Sequence, residues 1–559
     1  MAVILGVNCV SHNSSAALVI DGEPVAAVQQ ERFDRVKQSA AYPRDAIEFC
    51  LRRLGRRELE YVAVPLSPGT SAGRTITRLT ADLPQSYEAL RASLRYYEGL
   101  ADHLTRLHEL PVEPGRISYV GHHEAHLASA FHSSPFGESA VLSIDGSGDD
   151  STAMYAHATN GGIRVIGATG MPDSLGYFYG AITQYLGFHP NVDEGKVMGL
   201  APYGRRDLVG AFARILEPAS GLSFRVDLRY FTYHCRAERM YSADLEAKFG
   251  EPRPPGAPVE ARHEDLARAA QESLQVVVRH LAMGVLAETG SRRLCLGGGV
   301  ALNSVANGML AELPQVDAVH VAPDPGDGGT ALGAALWLEH QLSPGRTSTS
   351  VATPYLGPEY DDSAIAEALA RHGLRFTRLP SPARQAAKLV ADGAILGWFQ
   401  GRAEIGPRAL GSRSILATPT DPTMKDKLNS RVKRRETFRP FAPAILEDRQ
   451  AEYFSTTHPS YYMSHVHSVR PQMRDKIPAV VHVDGSGRLQ TVSPALAPLF
   501  AAVITEFDKL TGIPVVLNTS FNVMGEPIVN TPDDAIRCYL GSGMDALVMG
   551  SHLLCKRDP

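Results

Sequence analysis

Cysteine is scarce and never closely paired. The six in 559 residues (Cys9, Cys50, Cys235, Cys295, Cys538 and Cys555) make no C-x-x-C spacing. That argues against a cysteine zinc site or a disulfide framework and fits a reducing, cytoplasmic setting. No apolar run approaches the ~20 residues that span a bilayer. The opening "MAVILGVNCVSHNSS" has no basic segment and soon turns polar, so it reads as a first strand rather than a signal peptide. Positive charge is not in excess either. A formal net charge of −5 predicts no general affinity for nucleic acid. The run "RVKRRETFR" (Arg431 to Arg439) goes against that average, and its simplest reading is a solvated helix face. Solenoid repeats and low-complexity tracts are missing.

What is present is an ordinary globular composition in a chain too long for one domain, with ~3 to 4 units as the length prior. "AVILGVN", then "SAALVI" and "PVAAVQQ" about an Asp21-Gly22 turn, read as a strand followed by a hairpin. The pattern returns at "SAVLSIDGSGDDSTAMYAHATNGGIRVIGATG". Two such units, each followed by helices, suggest a duplicated α/β core. "RRLCLGGGVALNSVANGML" and "VDAVHVAPDPGDGGTALGAALWLEH" each run from strand through a Gly-rich loop into a helix, where α/β folds hold phosphates. After Leu342 the Ser/Thr/Pro/Gly-rich "SPGRTSTSVATPYLGPEY" reads as a linker. The organisation predicted is residues 1–343, a linker at 344–358, and a second domain at 359–559 of about 200 residues.

In "GHHEAHLASA", His122 and His126 stand at i and i+4, on one face of a predicted helix. "AVLSID" brings Asp145 to the end of a strand, and Asp327 opens "DGGTALGAAL". Two imidazoles and two carboxylates make a site suited to Fe²⁺, Mn²⁺ or Zn²⁺, and the lack of thiolates disfavours a closed structural zinc site. Beside such an ion, Gly146, Ser147 and Gly148 in "DGSGD" can offer backbone N–H groups to an anion. Gly297, Gly298, Gly299 and Asn303 in "LGGGVALN" can let a nucleotide approach the backbone. Lys196 in "DEGKVMGLAPYG" is a further nucleotide-binding candidate.

The second domain is rich in arginine. "GRAEIGPRALGSRSIL" holds Arg408 in a Gly/Pro context, and Arg439 lies between Phe438 and Pro440. Arg488 lies in "VDGSGRLQTV", and "LNTSFN" collects short polar side chains after a strand. Planar guanidinium groups suit a small doubly charged oxyanion. The "KRR" stretch, residues 433–435, reads instead as an exposed salt-bridge lattice.

At these motifs, together with "QQERFDRVK" and "FRPFAP", the chain resembles the NodU/CmcH/TobZ family of O-carbamoyltransferases, in family order and over nearly its whole length. The resemblance implies an α/β fold. A duplicated RNase H-like, TsaD-like domain of the actin/sugar-kinase/chaperone ATPase class precedes a YrdC-like domain. It implies that the second domain makes carbamoyl adenylate from carbamoyl phosphate and ATP with Mg²⁺, and that the first passes the carbamoyl group to a hydroxyl. By motif match, His122, His126, Asp145 and Asp327 hold the metal, Fe²⁺ in the family. Arg408, Lys433, Arg439, Arg488 and Asn518 match carbamoyl-phosphate positions, and Ser520 a nucleotide position. His12 matches the acceptor's general base and Lys37 a lysine near the transferred group, while Asp227 is a further acid/base candidate. Val10 and Asn13 flank His12 where a family member carries acidic residues.

The acceptor expected is a small molecule, an antibiotic or other secondary metabolite. The expected oligomer is a homodimer, with no nucleic-acid or membrane partner. A tRNA threonylcarbamoyl-type enzyme is the first alternative, opposed by the negative charge. A non-catalytic actin- or chaperone-like module is the second, opposed by the arginine-rich domain. A hydrogenase-maturation enzyme would need a zinc-finger cysteine array.

Overall fold

The computed structural model describes residues 2–9, 12–55, 57–66, 99–110, 112–235, 238–344 and 352–556. The chain forms two compact units, Met1–Gln30 with Ala40–Ala352, and Glu31–Ser39 with Thr353–Pro559. Val10 and residues 345–351 of the expected linker lie outside the described residues.

In the first unit, β1 (Val3–Asn8), β2 (Ser15–Ile20) and β3 (Glu23–Gln29) form an antiparallel meander. β4 (Tyr61–Val64) and β5 (Ile117–Tyr119) add in parallel on the β1 side, giving the order β3-β2-β1-β4-β5. A second meander repeats this with β6 (Glu138–Gly148), β7 (Ser151–Thr159) and β8 (Gly162–Gly170). After a separate hairpin of β9 (Leu216–Ala219) and β10 (Ser223–Val226), β11 (Arg293–Gly297) and β12 (Ala318–Val321) extend it in parallel. The order β12-β11-β6-β7-β8 is the same layout, so the unit is a duplicated RNase H-like fold, as expected. All six residues of β1 and of β2 are buried, which is why "VILGVN" and "SAALVI" read as continuous apolar runs rather than alternating ones.

Helices His122–His132 and Thr330–Leu342 pack closely against each other. Small residues permit it. A Cβ on Gly333 would lie 1.9 Å from the carbonyl oxygen of Ala125, and one on Gly6 would lie 1.9 Å from that of Ala331. The second helix therefore lies backbone to backbone against both the first helix and β1.

The second unit holds one mixed nine-stranded sheet. Its strands are β13 (Thr377–Arg378), β14 (Leu396–Phe399), β15 (Arg413–Ala417), β16 (Ala442–Leu446), β17 (His465–Ser468), β18 (Ser486–Val492), β19 (Val515–Ser520), β20 (Ala546–Met549) and β21 (His552–Cys555). Their order is β13-β21-β20-β14-β15-β19-β16-β18-β17. Alternate residues feed two cores: Phe399, Ile415 and Leu517 on one face, Trp398, Leu416 and Val516 on the other. Helices Asp362–Arg371 and Pro532–Leu540 cover the first face, and Pro382–Ala391 and Pro498–Thr511 the second. This α/β unit is of the kind expected for the YrdC-like half.

Candidate functional site

In the first unit the structure gathers His122, His126, Asp145 and Asp327, whose ligand atoms lie within 4.8 Å of one another. The helix carrying both histidines begins at Gly121, and its first N–H, on His122, donates to Asp149 Oδ2 at 2.8 Å. The two Nε2 atoms are 3.1 Å apart. His126 Nε2 lies 3.1 Å from Asp145 Oδ2 and 3.7 Å from Asp327 Oδ1. His122 Nε2 lies 3.9 and 3.7 Å from the same two oxygens. An ion with bonds of about 2.0–2.2 Å sets its donor atoms roughly 3–4.4 Å apart, the range in which the His–His and His–Asp distances fall.

The electrostatics agree with that fit. Burial opposes charge on Asp145, yet the imidazoles of His122 and His126 hold its carboxyl well below the usual range. Asp327, also opposed by burial, is held at about 2 by the same two rings. Burial opposes charge on His126, but hydrogen bonds to Asp145 and Asp327 raise it to about 9. Asp145 is further fixed by the N–H groups of Gly146 at 2.6 Å and Gly299 at 2.8 Å. Asn8 Nδ2 and Thr330 Oγ1 donate to the Asp327 carbonyl at 3.0 and 2.6 Å.

The glycine loops support this cluster. A Cβ on Gly148 would lie 2.0 Å from the His122 ring, and one on Gly297 2.8 Å from the His126 carbonyl oxygen. Gly298, at φ +85°, passes so near Ile144 that a Cβ would lie 2.3 Å from its carbonyl oxygen. The space freed by these three glycines is filled by the elements that carry the ligands. Ser147 shares a 2.7 Å hydrogen bond with Tyr177. Asn303 accepts from the N–H of Ala306 and exchanges hydrogen bonds with Gln271. Lys196 pairs with Asp193 at 3.1 Å. His12 is exposed, its Nδ1 lying 3.9 Å from Asp327 Oδ2 and 3.2 Å from Asn13 Nδ2. Asp227 is not gathered with the four. Its carboxylate is held by Arg229, which lowers its pKa and makes it a poor base.

The second unit concentrates positive charge. Arg408 stands in the loop before β15, Arg439 in the loop before β16 and Arg488 on β18. Arg435 joins them. Burial, and then the neighbouring guanidinium groups of Arg408, Arg435 and Arg439, push Arg488 well below the usual arginine range. Burial and Arg439 push Arg408 down to about 10, and Arg435 to about 9. Arg488 Nε is buried without a hydrogen-bond partner. Neither Arg408 nor Arg488 has a side-chain hydrogen bond or ion pair among the described residues. Asn518, fully buried on β19, donates Nδ2 to the Ala409 carbonyl at 3.0 Å and to Gln490 Oε1 at 2.6 Å, while its Oδ1 has no partner.

The expectation for the "KRR" stretch is overturned for two of its three residues. Arg434 takes a left-handed turn, φ 47°, and is exposed. The residues on either side turn inward. Lys433, 2 % exposed, donates Nζ to Ser520 Oγ at 3.2 Å and Asn522 Oδ1 at 2.8 Å. Arg435 donates to Asn429 Oδ1 at 2.8 Å and lies over the Phe441 ring. Lys37, in Glu31–Ser39, belongs to this second unit and adds to the positive charge felt by Lys433.

Sequence reasoning missed Arg435, Glu404 and Gln490. Glu404 Oε1 accepts the N–H groups of Leu410 at 2.6 Å, Arg413 at 3.2 Å and Ser412 at 3.3 Å, folding the Arg408 loop into an arch. Gln490 Nε2 holds the Leu410 carbonyl at 2.9 Å. Arg413, fully buried, donates to the carbonyls of Gln400, Ser412, Pro358 and Gly401 and is structural. The one sequence signal for Glu404 was an acidic residue inside an arginine-rich, Gly/Pro-rich loop.

Comparison with known proteins agrees over both units. The profile of the carbamoyltransferase N-terminus matches residues 3–336, and that of the carbamoyltransferase C-terminus residues 387–556. Nodulation protein NolNO of Sinorhizobium fredii is 38% identical over 569 residues, 98% of this chain and 80% of its own. Nodulation protein U of Bradyrhizobium diazoefficiens is 32% identical over 569 residues, 95% of this chain and 94% of its own. Full-length HypF in its phosphate- and nucleotide-bound form, at 16% identity and a TM-score of 0.30 over 61% of this chain and 56% of that one, is too distant to argue from. With both halves matched in order, the chain belongs to the carbamoyltransferase family.

Proposed function

We propose that this carbamoyltransferase makes carbamoyl adenylate from carbamoyl phosphate and ATP, and passes the carbamoyl group to a hydroxyl of a small secondary-metabolite acceptor. The observation that carries this reading is the cluster of Arg408, Arg435, Arg439 and Arg488, in which Arg408 and Arg488 have no side-chain partner among the described residues. So much uncompensated charge is costly unless an anion completes it. Carbamoyl phosphate has a doubly charged phosphoryl group at one end and an NH₂ at the other. The arginines suit the first through forked hydrogen bonds. The unpartnered Asn518 Oδ1 is an acceptor for the second.

In the first step water displaces phosphate from carbamoyl phosphate. The carbamate oxygen then attacks the α-phosphorus of ATP, and the bond to pyrophosphate breaks. Fixed guanidinium groups aid such steps by positioning and by stabilising phosphoryl oxygens. In the second step the acceptor oxygen attacks the carbamoyl carbon, its proton passes to His12, and the bond to AMP breaks. His122, His126, Asp145 and Asp327 would hold a divalent cation, Fe²⁺ in this proposal, which neutralises charge on a departing phosphate. Mg²⁺ accompanies ATP.

The test is carbamoyl-phosphate-dependent exchange of labelled pyrophosphate into ATP. Arg408→Ala and Arg439→Ala are expected to abolish it, and His126→Ala to keep it while losing transfer. Exchange supported by threonine and bicarbonate, and not by carbamoyl phosphate, would favour the threonylcarbamoyl alternative.

A further inference from the structure

Residues Glu31–Ser39 belong to the second unit, although the chain before and after them belongs to the first. The segment is folded on itself. Glu31 Oε2 accepts the N–H of Gln38 at 2.8 Å, and Asp34 accepts the N–H of Val36 at 2.9 Å and the hydroxyl of Ser39 at 2.5 Å. Two arginines extend from this knot to two loops. Arg35 donates to the carbonyls of Ile528 at 2.7 Å and Pro527 at 2.8 Å. Arg32, 4 % exposed, donates Nη2 to the carbonyl of Gly406 at 2.7 Å, two residues before Arg408.

That bond closes an arch. Beyond Arg408, the loop is pinned by Asn518 on the Ala409 carbonyl, Gln490 on the Leu410 carbonyl and Glu404 on three N–H groups. Before Arg408, Gly406 takes a left-handed φ of +84°, and its carbonyl accepts from Arg32. Arg32 is an expensive way to fill this space. Among the described residues its Nη1 is buried with no hydrogen-bond partner, and its one ion pair, with Glu31, is 3.9 Å long at Nε. A buried guanidinium with an unused donor costs more than an apolar side chain of the same volume. Such local violations mark positions kept for what they hold.

We infer that Arg32 is a positioning residue for the carbamoyl-phosphate site, holding the Arg408 arch from a segment outside the carboxyl-terminal half of the sequence. The inference rests on the function proposed above for the identity of the ligand, and on geometry alone for the brace. It makes Glu31–Ser39 a working part of the adenylate-forming unit.

The full chain tests it. Inorganic phosphate, titrated by calorimetry, probes the anion site without any chemistry, and pyrophosphate exchange probes the reaction. Arg32→Ala is expected to weaken phosphate binding and raise the KM for carbamoyl phosphate about tenfold or more, the scale of a misplaced binding group. The KM for ATP should stay within about twofold, which a general folding defect would not allow. Arg32→Lys, whose Nζ can still reach one carbonyl, should recover most of the loss. If Arg32→Ala melts non-cooperatively, Arg32→Met keeps the stem, removes the donor and carries the same comparison. Wild-type phosphate affinity in a folded Arg32→Ala or Arg32→Met protein overturns the inference, as does a wild-type protein that binds no phosphate. Phosphate binding that depends on Arg32, in a protein that shows no exchange, would leave the brace standing and refute the proposed reaction.

Discussion

Gly333 meets Ala125 so closely that a Cβ on the glycine would lie 1.9 Å from the alanine's carbonyl oxygen. Ala125 is the residue before His126, and Gly333 lies six residues beyond Asp327. This contact therefore sets the spacing between the two imidazoles and the carboxylate. Gly333→Ala is expected to force the helices apart, costing about 1–3 kcal/mol as overpacking does, and to weaken metal binding as well. Gly195→Ala is the control. A Cβ there meets nothing within 4 Å, so its melting temperature should be unchanged or slightly raised.

Metal removal should loosen the first unit without unfolding it. With no ion, the imidazoles still lie 3.1–3.9 Å from the carboxylate oxygens, and His126, raised to about 9 by its hydrogen bonds to them, offsets part of their charge. Chelation is expected to lower the melting temperature while a cooperative transition remains. Asp327→Asn should lose the metal, measured by elemental analysis, and keep its fold. An Asp327→Asn protein with full metal content would remove this residue from the ligand set.

These two sites differ in how legible they were. The His122/His126 pair could be read because i,i+4 spacing puts both rings on one helical face whatever surrounds the helix. Asp327 could be placed at a helix start, while Asp145, expected at a strand end, lies within β6 where its pairing with β7 shifts register after Ile144; their convergence on the pair depends on duplicated sheet order and on small-residue helix packing. The strand meanders were legible from their turns. The nine-stranded order of the second unit was not, since its neighbours are distant in sequence. Charge misled the reading at Lys433 and Arg435. A single left-handed residue, Arg434, turns an apparently solvated run inward, and nothing in an arginine announces that backbone. The membership of Glu31–Ser39 in the second unit is likewise a tertiary fact that no local pattern carries.

Arg488 makes a prediction in which stability and function part company. Its neighbours Arg408, Arg435 and Arg439 repel it, and its Nε is buried without a partner. Arg488→Met removes that repulsion and keeps the stem packed. The ligand-free variant is expected to be more stable than wild type, on the order of 1–3 kcal/mol by analogy with other buried charges replaced by apolar residues. The same variant should lose the stabilisation that phosphate gives the wild type, about 2.7 kcal/mol at a hundredfold excess over Kd. Denaturant unfolding with and without phosphate measures both. A less stable apo variant would show that Arg488 has a structural partner.

Two histidines at the end of the metal-bearing helix should add to acid sensitivity. Burial pushes His320 down to about 3, and burial with the nearby His340 pushes His132 down to about 4. His320 Nε2 shares a 2.9 Å hydrogen bond with Ser133 Oγ, and the His132 and His340 rings are 5.4 Å apart, so both lie at the end of the metal-bearing helix. In the unfolded chain each would titrate near ~6.5. Folded-state values below unfolded ones mean that the unfolded chain binds more protons throughout the interval between them. The stability they contribute is therefore complete above about pH 6.5 and is lost as pH falls toward 4 and then 3, at up to about 1.4 kcal/mol per pH unit for each histidine. His320→Gln removes one proton-binding group while keeping a polar side chain beside Ser133. Its unfolding free energy should fall less steeply than that of wild type between pH 6.5 and pH 4, and His132→Gln should show the same flattening. Parallel pH profiles for wild type and His320→Gln would mean that His320 binds protons alike in the folded and unfolded chain, against the downward shift.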